Sequence, residues 1–194
     1  MHDHCWNSRL MPGAKNHTIG LVGFGGIGTE VAKRAVPFGM KVIYFCRHPN
    51  PADDAAYGVQ SVSMEELLKE SDYVVAAVPL TDQTFHLFNE ERIAQMKAGS
   101  VLINIARGPV VDEEALAQAL ASGHLGGCAV DVFPKEPCTN SVLTRYANAL
   151  LTPHSATSTA ENSKATNFAA ANNLVNYLKK DIDAKYVVVQ GTRY

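Results

Sequence analysis

Four stretches of this 194-residue chain carry residue types that can do chemistry. The first, Gly23-Phe24-Gly25-Gly26-Ile27-Gly28, fits G-x-G-x-x-G between an apolar β-branched run and a helical pattern. In that setting Gly23 permits the tight turn, Gly25 lets backbone approach a pyrophosphate, and Gly28 lets helix and strand pack closely. The helix N-terminus then offers its N–H groups and positive dipole end to phosphates. A glycine-rich turn that binds nothing fits the same pattern, and the strand–turn–helix context weighs against it. The other three stretches are NIARGPVVDEEAL (104–116), AVDVFPKEP (129–137) and LTPHSATS (151–158). Each follows an expected strand, which gathers Arg107, Asp131, Glu136 and His154 at the carboxyl edge of a sheet, where open α/β folds bind ligands. One guanidinium, two carboxylates and one imidazole around a crevice make an acid–base constellation. Each residue alone is more often structural or solvated; their convergence with a phosphate loop sets them apart.

A dinucleotide-binding unit usually closes its second strand with an acid about 20 residues past the last glycine, to hold the ribose 2′-hydroxyl. Cys46 stands 18 residues past Gly28, and the tip reads Cys46-Arg47-His48. Loss of the acid removes repulsion of a 2′-phosphate. Arg47 offers a planar fork to such a group and His48 a second donor. The competing reading is a solvated Arg-His pair in a loop. The tip favours NADP over NAD.

Positioning these residues requires an alternation of strands and helices, and the chain has it. Strands are expected at 18–22, 41–46, 73–78, 101–105, 128–132 and 149–151. Helices are expected at 26–37, 64–70, 90–96, 113–122 and 159–180, with Ser63-Met-Glu-Glu66 as a capping box and Asp112 as a cap. Pro49-Asn50-Pro51 reads as a turn without regular structure. The continuous apolar run at 73–78 suits a strand buried on both faces. The expected architecture is α/β: a doubly wound parallel sheet, a Rossmann-type dinucleotide-binding domain over 18–180. Residues 1–17 form an N-terminal segment and 181–194 a C-terminal tail.

Composition narrows the function classes. Apolar residues make up 46% and charged residues 19%, enough for a sizeable core, and the net charge of −2 argues against a nucleic-acid partner. No apolar stretch reaches membrane-spanning length, and the N-terminus lacks a signal-peptide pattern. The cysteines at 5, 46, 128 and 138 contain no CxxC pair. Reduced thiols in the cytoplasm are therefore expected. His2, His4 and Cys5 lack a second ligand pair, and no metal is assigned.

From about residue 18 to about residue 180, through five motifs in family order, the chain resembles the cofactor-binding domain of the D-2-hydroxyacid dehydrogenases. The segment AAVPLTDQTFHLFN (76–89) belongs to that resemblance. It implies an oxidoreductase moving a hydride between NAD(P)H and a small 2-keto or 2-hydroxy acid of D configuration, working as a homodimer. It gives Arg107 the substrate carboxylate, His154 the proton transfer, Glu136 the holding and charging of that imidazole, and Asp131 the nicotinamide amide. Cofactor contacts are then expected from Gly23, Phe24, Gly25, Gly26, Ile27, Gly28, Cys46, Arg47, His48, Val78, Pro79, Thr84, Ile105, Ala106, Asp131, His154 and Ala156.

Two departures stand out. The family usually has Arg where this chain has Gly26, which removes one phosphate contact. Family members also carry a substrate-binding domain built from N-terminal residues and a C-terminal return. Here about 17 residues precede the first strand, and YVVVQGTRY (186–194) reads as a remnant of that return. A dinucleotide sensor or corepressor-like module of the same superfamily is the alternative. An acid–base set has no use in a pure binder, which favours the enzyme. A methyltransferase on the same glycine loop leaves ARG, DVFPKEP and TPH unexplained.

Overall fold

Short apolar runs lie side by side as one parallel sheet in the computed structural model, which describes residues 13–181 and 183. The strands are β1 (Thr18–Val22), β2 (Lys41–Phe45), β3 (Gln60–Ser61), β4 (Tyr73–Ala76), β5 (Val101–Asn104), β6 (Gly127–Val130) and β7 (Ala149–Leu151). Their order is β3-β2-β1-β4-β5-β6-β7. β1 therefore pairs with both β2 and β4, placing Leu21 opposite Tyr44 on one side and Val75 on the other. Strand order reverses there, and in doubly wound sheets that switch point opens the ligand crevice at the carboxyl ends.

Successive side chains of a strand face opposite ways, so one sheet feeds two cores. Val22, Ile43, Val74 and Leu102 pack with Leu67 and Leu68 of α3 (Met64–Glu70), Ile93 of α4 (Glu90–Ala94), and Leu116 and Leu120 of α5 (Glu113–Ala121). Their neighbours Leu21, Val42, Tyr44 and Val75 pack on the other face with Ala32 and Ala35 of α1 (Gly26–Ala35) and Tyr57 of α2 (Pro51–Tyr57). Helices on both faces of a parallel sheet make this the expected doubly wound α/β fold. The sheet lies within a unit that ends at Pro153; a second unit begins at His154. That unit holds α6 (Ala160–Leu178), capped by Thr159, whose hydroxyl accepts a hydrogen bond from the Asn162 N–H at 3.1 Å. His2, His4, Cys5 and the tail 186–194 lie outside the described residues.

The structure corrects several expectations. Pro49-Asn50-Pro51 opens α2 rather than forbidding it. Pro51 sits in the first turn, where its missing N–H is no loss, and the Asn50 side chain caps the Ala52 N–H at 3.1 Å. The two-residue edge strand β3 is too short for a periodicity to announce. α1 stops at Ala35, and Pro37 falls in a following 3-10 turn, Val36–Phe38. The ladder also ends early in β2, β4, β5 and β6. Cys46, Val78, Ile105 and Asp131 are thus loop residues at the carboxyl edge. The capping assignments agree: Ser63 accepts from the Glu66 N–H, and Asp112 from the N–H groups of Glu114 and Ala115.

The opposite edge of the sheet is tied by Asp72. Its carboxylate accepts from the Thr18 N–H at 2.8 Å and the Lys97 ammonium at 2.7 Å. Partial burial pushes this carboxyl up, but the two donors outweigh that and hold it below the usual aspartate range. A depressed folded value gives stability that is present above about pH 4 and lost as pH falls through the lowered value. Asp72→Asn is therefore expected to cost roughly 1–2 kcal/mol at neutral pH. In thermal melts the variant and the parent should converge as pH falls through that lowered value, and a gap that persists below it would rule out the carboxylate as the cause.

Candidate functional site

The glycine loop grows directly out of the switch point. β1 ends at Val22, Gly23 turns the chain at φ 103°, and its N–H donates to the Phe45 carbonyl at 2.9 Å. A Cβ on Gly28 would collide with the Gly23 carbonyl oxygen, so loop and helix close to a distance only glycine allows. Phe24 anchors the loop by stacking on Tyr44, ring centroids 4.1 Å apart. Tyr44 in turn donates to Asp54 at 2.7 Å; burial first, then that bond, push its phenol up to about 12.

The N-terminus of α1 differs from every other α-helix of the described chain. α2 to α6 each have a side-chain cap and at least one acid in the first turn. α1 has neither: Gly25 is its cap residue and no acidic residue falls in its first turn. A Cβ built on Gly25 meets no protein atom within 4 Å. Capping groups and carboxylates are what a helix keeps where it must satisfy its own N–H groups; leaving them out suits an external anion.

A cavity of about 510 Å³ opens in front of this loop, within the size range of small-molecule sites. Nine of the expected cofactor residues line it: Gly23, Phe24, Gly25, Cys46, Arg47, His48, Val78, Pro79 and Thr84. Among the described residues its lining contains no carboxylate. Arg47 and His48 are exposed, and Arg92 of α4 contributes a third basic side chain, its Nη1 donating to the Leu87 carbonyl at 2.8 Å. Thr84 folds its own wall, donating its hydroxyl to the Pro79 carbonyl at 2.6 Å. The residues present therefore fit a phosphate-bearing ligand with an apolar body. Gly26, Ile27 and Gly28 form the first turn of α1 and do not line this cavity.

Sequence reasoning missed Met64 and Arg92, which reach the cavity from two helices far along the chain. No local pattern marks them. Thr81 and Gln83 also line it, and they lie inside the segment 76–89 already singled out.

The loops after β5 and β6 hold the second group. Asn104, 1% exposed, accepts from the Ala106 N–H and donates to the Arg107 carbonyl, both at 3.1 Å. That side chain fixes the turn of Ile105, Ala106 and Arg107 and leaves the Arg107 side chain exposed. A Cβ on Gly108 would overlap the backbone of Phe133, so the two loops are packed against each other. They are also joined by the Asp131 N–H, which donates to the Asn104 carbonyl at 3.1 Å. Asp131 itself is buried, while Glu136 is exposed and accepts from the Phe133 N–H at 2.9 Å. Arg107, Asp131 and Glu136 thus stand on neighbouring loops at one sheet edge. His154 and Ala156 are exposed residues of the second unit, His154 at φ 49°.

The family profile described as D-isomer specific 2-hydroxyacid dehydrogenase, NAD binding domain, matches residues 1–156. A glyoxylate reductase of Thermococcus litoralis is 42% identical over 175 residues, covering 90% of this chain and 53% of that protein. Among solved structures, a glyoxylate reductase from Paecilomyes thermophila matches with a TM-score of 0.83 at 38% identity, covering 89% of this chain and 52% of that one. The D-lactate dehydrogenase of Aquifex aeolicus, solved with NAD and lactic acid, matches with a TM-score of 0.84 at 32% identity, covering 93% and 59%. The chain spans about half the length of the curated relatives it matches. With its glycine loop at the switch point of a doubly wound sheet, this chain belongs to the D-isomer specific 2-hydroxyacid dehydrogenase family and matches that family's NAD-binding domain.

Proposed function

We propose that this protein works in the reduction of a small 2-keto acid, glyoxylate for example, to the corresponding 2-hydroxy acid, with NADPH preferred over NADH. The observation that carries the reading is the uncapped, acid-free N-terminus of α1 opening onto a cavity with three basic residues and, among the described residues, no carboxylate. Gly23, Phe24, Gly25, Val78, Pro79 and Thr84 would hold the dinucleotide there. Bound in this way, the nicotinamide group supplies the hydride.

The chain's own residues then have separable tasks. Arg107 attracts the substrate carboxylate and polarises the neighbouring carbonyl. His154 gives a proton to the carbonyl oxygen as negative charge develops on it, and Glu136 holds that imidazole. Asp131 holds the nicotinamide amide. Positioning by such groups, rather than new chemistry, is what the fold adds. The same reading makes the protein a cytoplasmic homodimer; exposed apolar side chains of α6, such as Phe168 and Leu178, support self-association.

A single-turnover assay with glyoxylate and protein in excess over NADPH tests this function. His154→Ala should slow the reaction roughly 100- to 10,000-fold and leave NADPH affinity unchanged. Firm cofactor binding with no oxidation by any 2-keto acid would instead return the sensor reading.

Cofactor choice has its own test. Arg47→Ala should weaken NADPH by ~1–3 kcal/mol, the range for a lost charge-assisted hydrogen bond, and leave NADH nearly unchanged. Calorimetric titration of both cofactors reads this directly. Equal losses for the two would remove Arg47 from any contact with the extra phosphate.

A further inference from the structure

Thr152 precedes the Pro153-His154 pair and has no part in the proposed chemistry, yet its hydroxyl donates to Asp131 Oδ1 at 2.5 Å. That length belongs to a charge-assisted O–H···O⁻ bond. Both partners are held by the sheet before their side chains meet. The Thr152 N–H donates to the Val130 carbonyl at 3.0 Å, and the Asp131 N–H to the Asn104 carbonyl at 3.1 Å. With both backbones fixed, the hydroxyl bond helps set the direction of the carboxylate. Threonine suits the task because branching at Cβ restricts χ1. Asp131 is only 8% exposed, so a misdirected carboxylate could not turn to solvent without moving its loop.

We propose that Thr152 is a positioning residue for the nicotinamide end of the cofactor, acting through Asp131. This rests on the proposed role of Asp131 in holding the carboxamide. Thr152 makes no contact with the adenosine end in this scheme. Its loss should therefore discriminate between two ligands that differ only in carrying or lacking nicotinamide.

The test is calorimetric titration of the full 194-residue chain with NADH and with ADP-ribose, for the parent, Thr152→Val, Thr152→Ser, Asp131→Ala and the Thr152→Val/Asp131→Ala double variant. Thr152→Val should raise the NADH dissociation constant roughly tenfold or more, as for loss of one strong hydrogen bond, and shift ADP-ribose by less than about twofold. Thr152→Ser should restore NADH to within about threefold. In the Asp131→Ala background, Thr152→Val should add nothing. If Asp131→Ala weakens NADH selectively and Thr152→Val does not, the positioning role is overturned while the Asp131 role stands. If Asp131→Ala leaves the NADH to ADP-ribose ratio unchanged, the Asp131 role fails and the proposal with it. A Thr152→Val effect equal on both ligands would mark a general structural defect and overturn the proposal. Should Thr152→Val fail to fold by thermal melting, Thr152→Ala takes its place with the same expected ratios.

Discussion

Gly25→Val is expected to remove dinucleotide binding while leaving the fold intact. A Cβ at Gly25 meets no protein atom within 4 Å, and its backbone, at φ −93° and ψ −160°, is extended. The new side chain therefore strains nothing in the free protein, and loss of a glycine cap should change stability by no more than about 1 kcal/mol. It projects instead into the space where the pyrophosphate must approach backbone N–H groups. An affinity loss of ~100-fold or more, roughly 2.7 kcal/mol, should follow for NADPH and NADH alike. Gly28→Ala gives the contrast: its Cβ would strike the Gly23 carbonyl oxygen, a backbone atom with no room to yield. That variant should lose melting temperature as well as affinity. Near-parental NADPH binding by Gly25→Val would mean that the phosphates lie elsewhere.

The other large effect concerns turnover by these 194 residues alone. About half of each curated relative's length has no counterpart in this chain. Arg107 stands exposed at the sheet edge, able to attract a 2-keto acid but open to water. Enclosing a substrate and fixing it against the hydride donor is worth roughly 7–11 kcal/mol of the barrier in well-oriented systems. The chain alone should therefore bind NADPH with ordinary affinity and oxidise it with glyoxylate, pyruvate or hydroxypyruvate far below ~1 s⁻¹. Steady-state rates with the three acids measure this. A rate in the ordinary enzyme range would mean that a second copy of the chain encloses the substrate.

What the sequence made legible follows from how local each signal is. The glycine loop could be read because six consecutive residues carry it and an apolar run and a helix flank it. The caps Ser63 and Asp112 were equally plain, since a cap acts within three residues. Pro51 misled because proline ends a helix or begins one, and the difference lay in Asn50, which caps the helix that follows. Strand ends were overrun because cleft-lining residues such as Val78 stay apolar after the ladder stops. Arg92 and Thr152 were invisible for another reason: each matters through what only the tertiary fold brings near, the glycine-loop cavity in one case and Asp131 in the other.

The switch-point cavity is proposed to take a nicotinamide dinucleotide and to favour the one with an extra phosphate. Calorimetric titration of the unmodified chain with NADPH and NADH under identical salt tests it most directly. One site per chain is expected for each cofactor, tighter for NADPH, with both lost in Gly25→Val. Absence of binding for both cofactors at millimolar concentration, or binding that survives Gly25→Val unchanged, would contradict it.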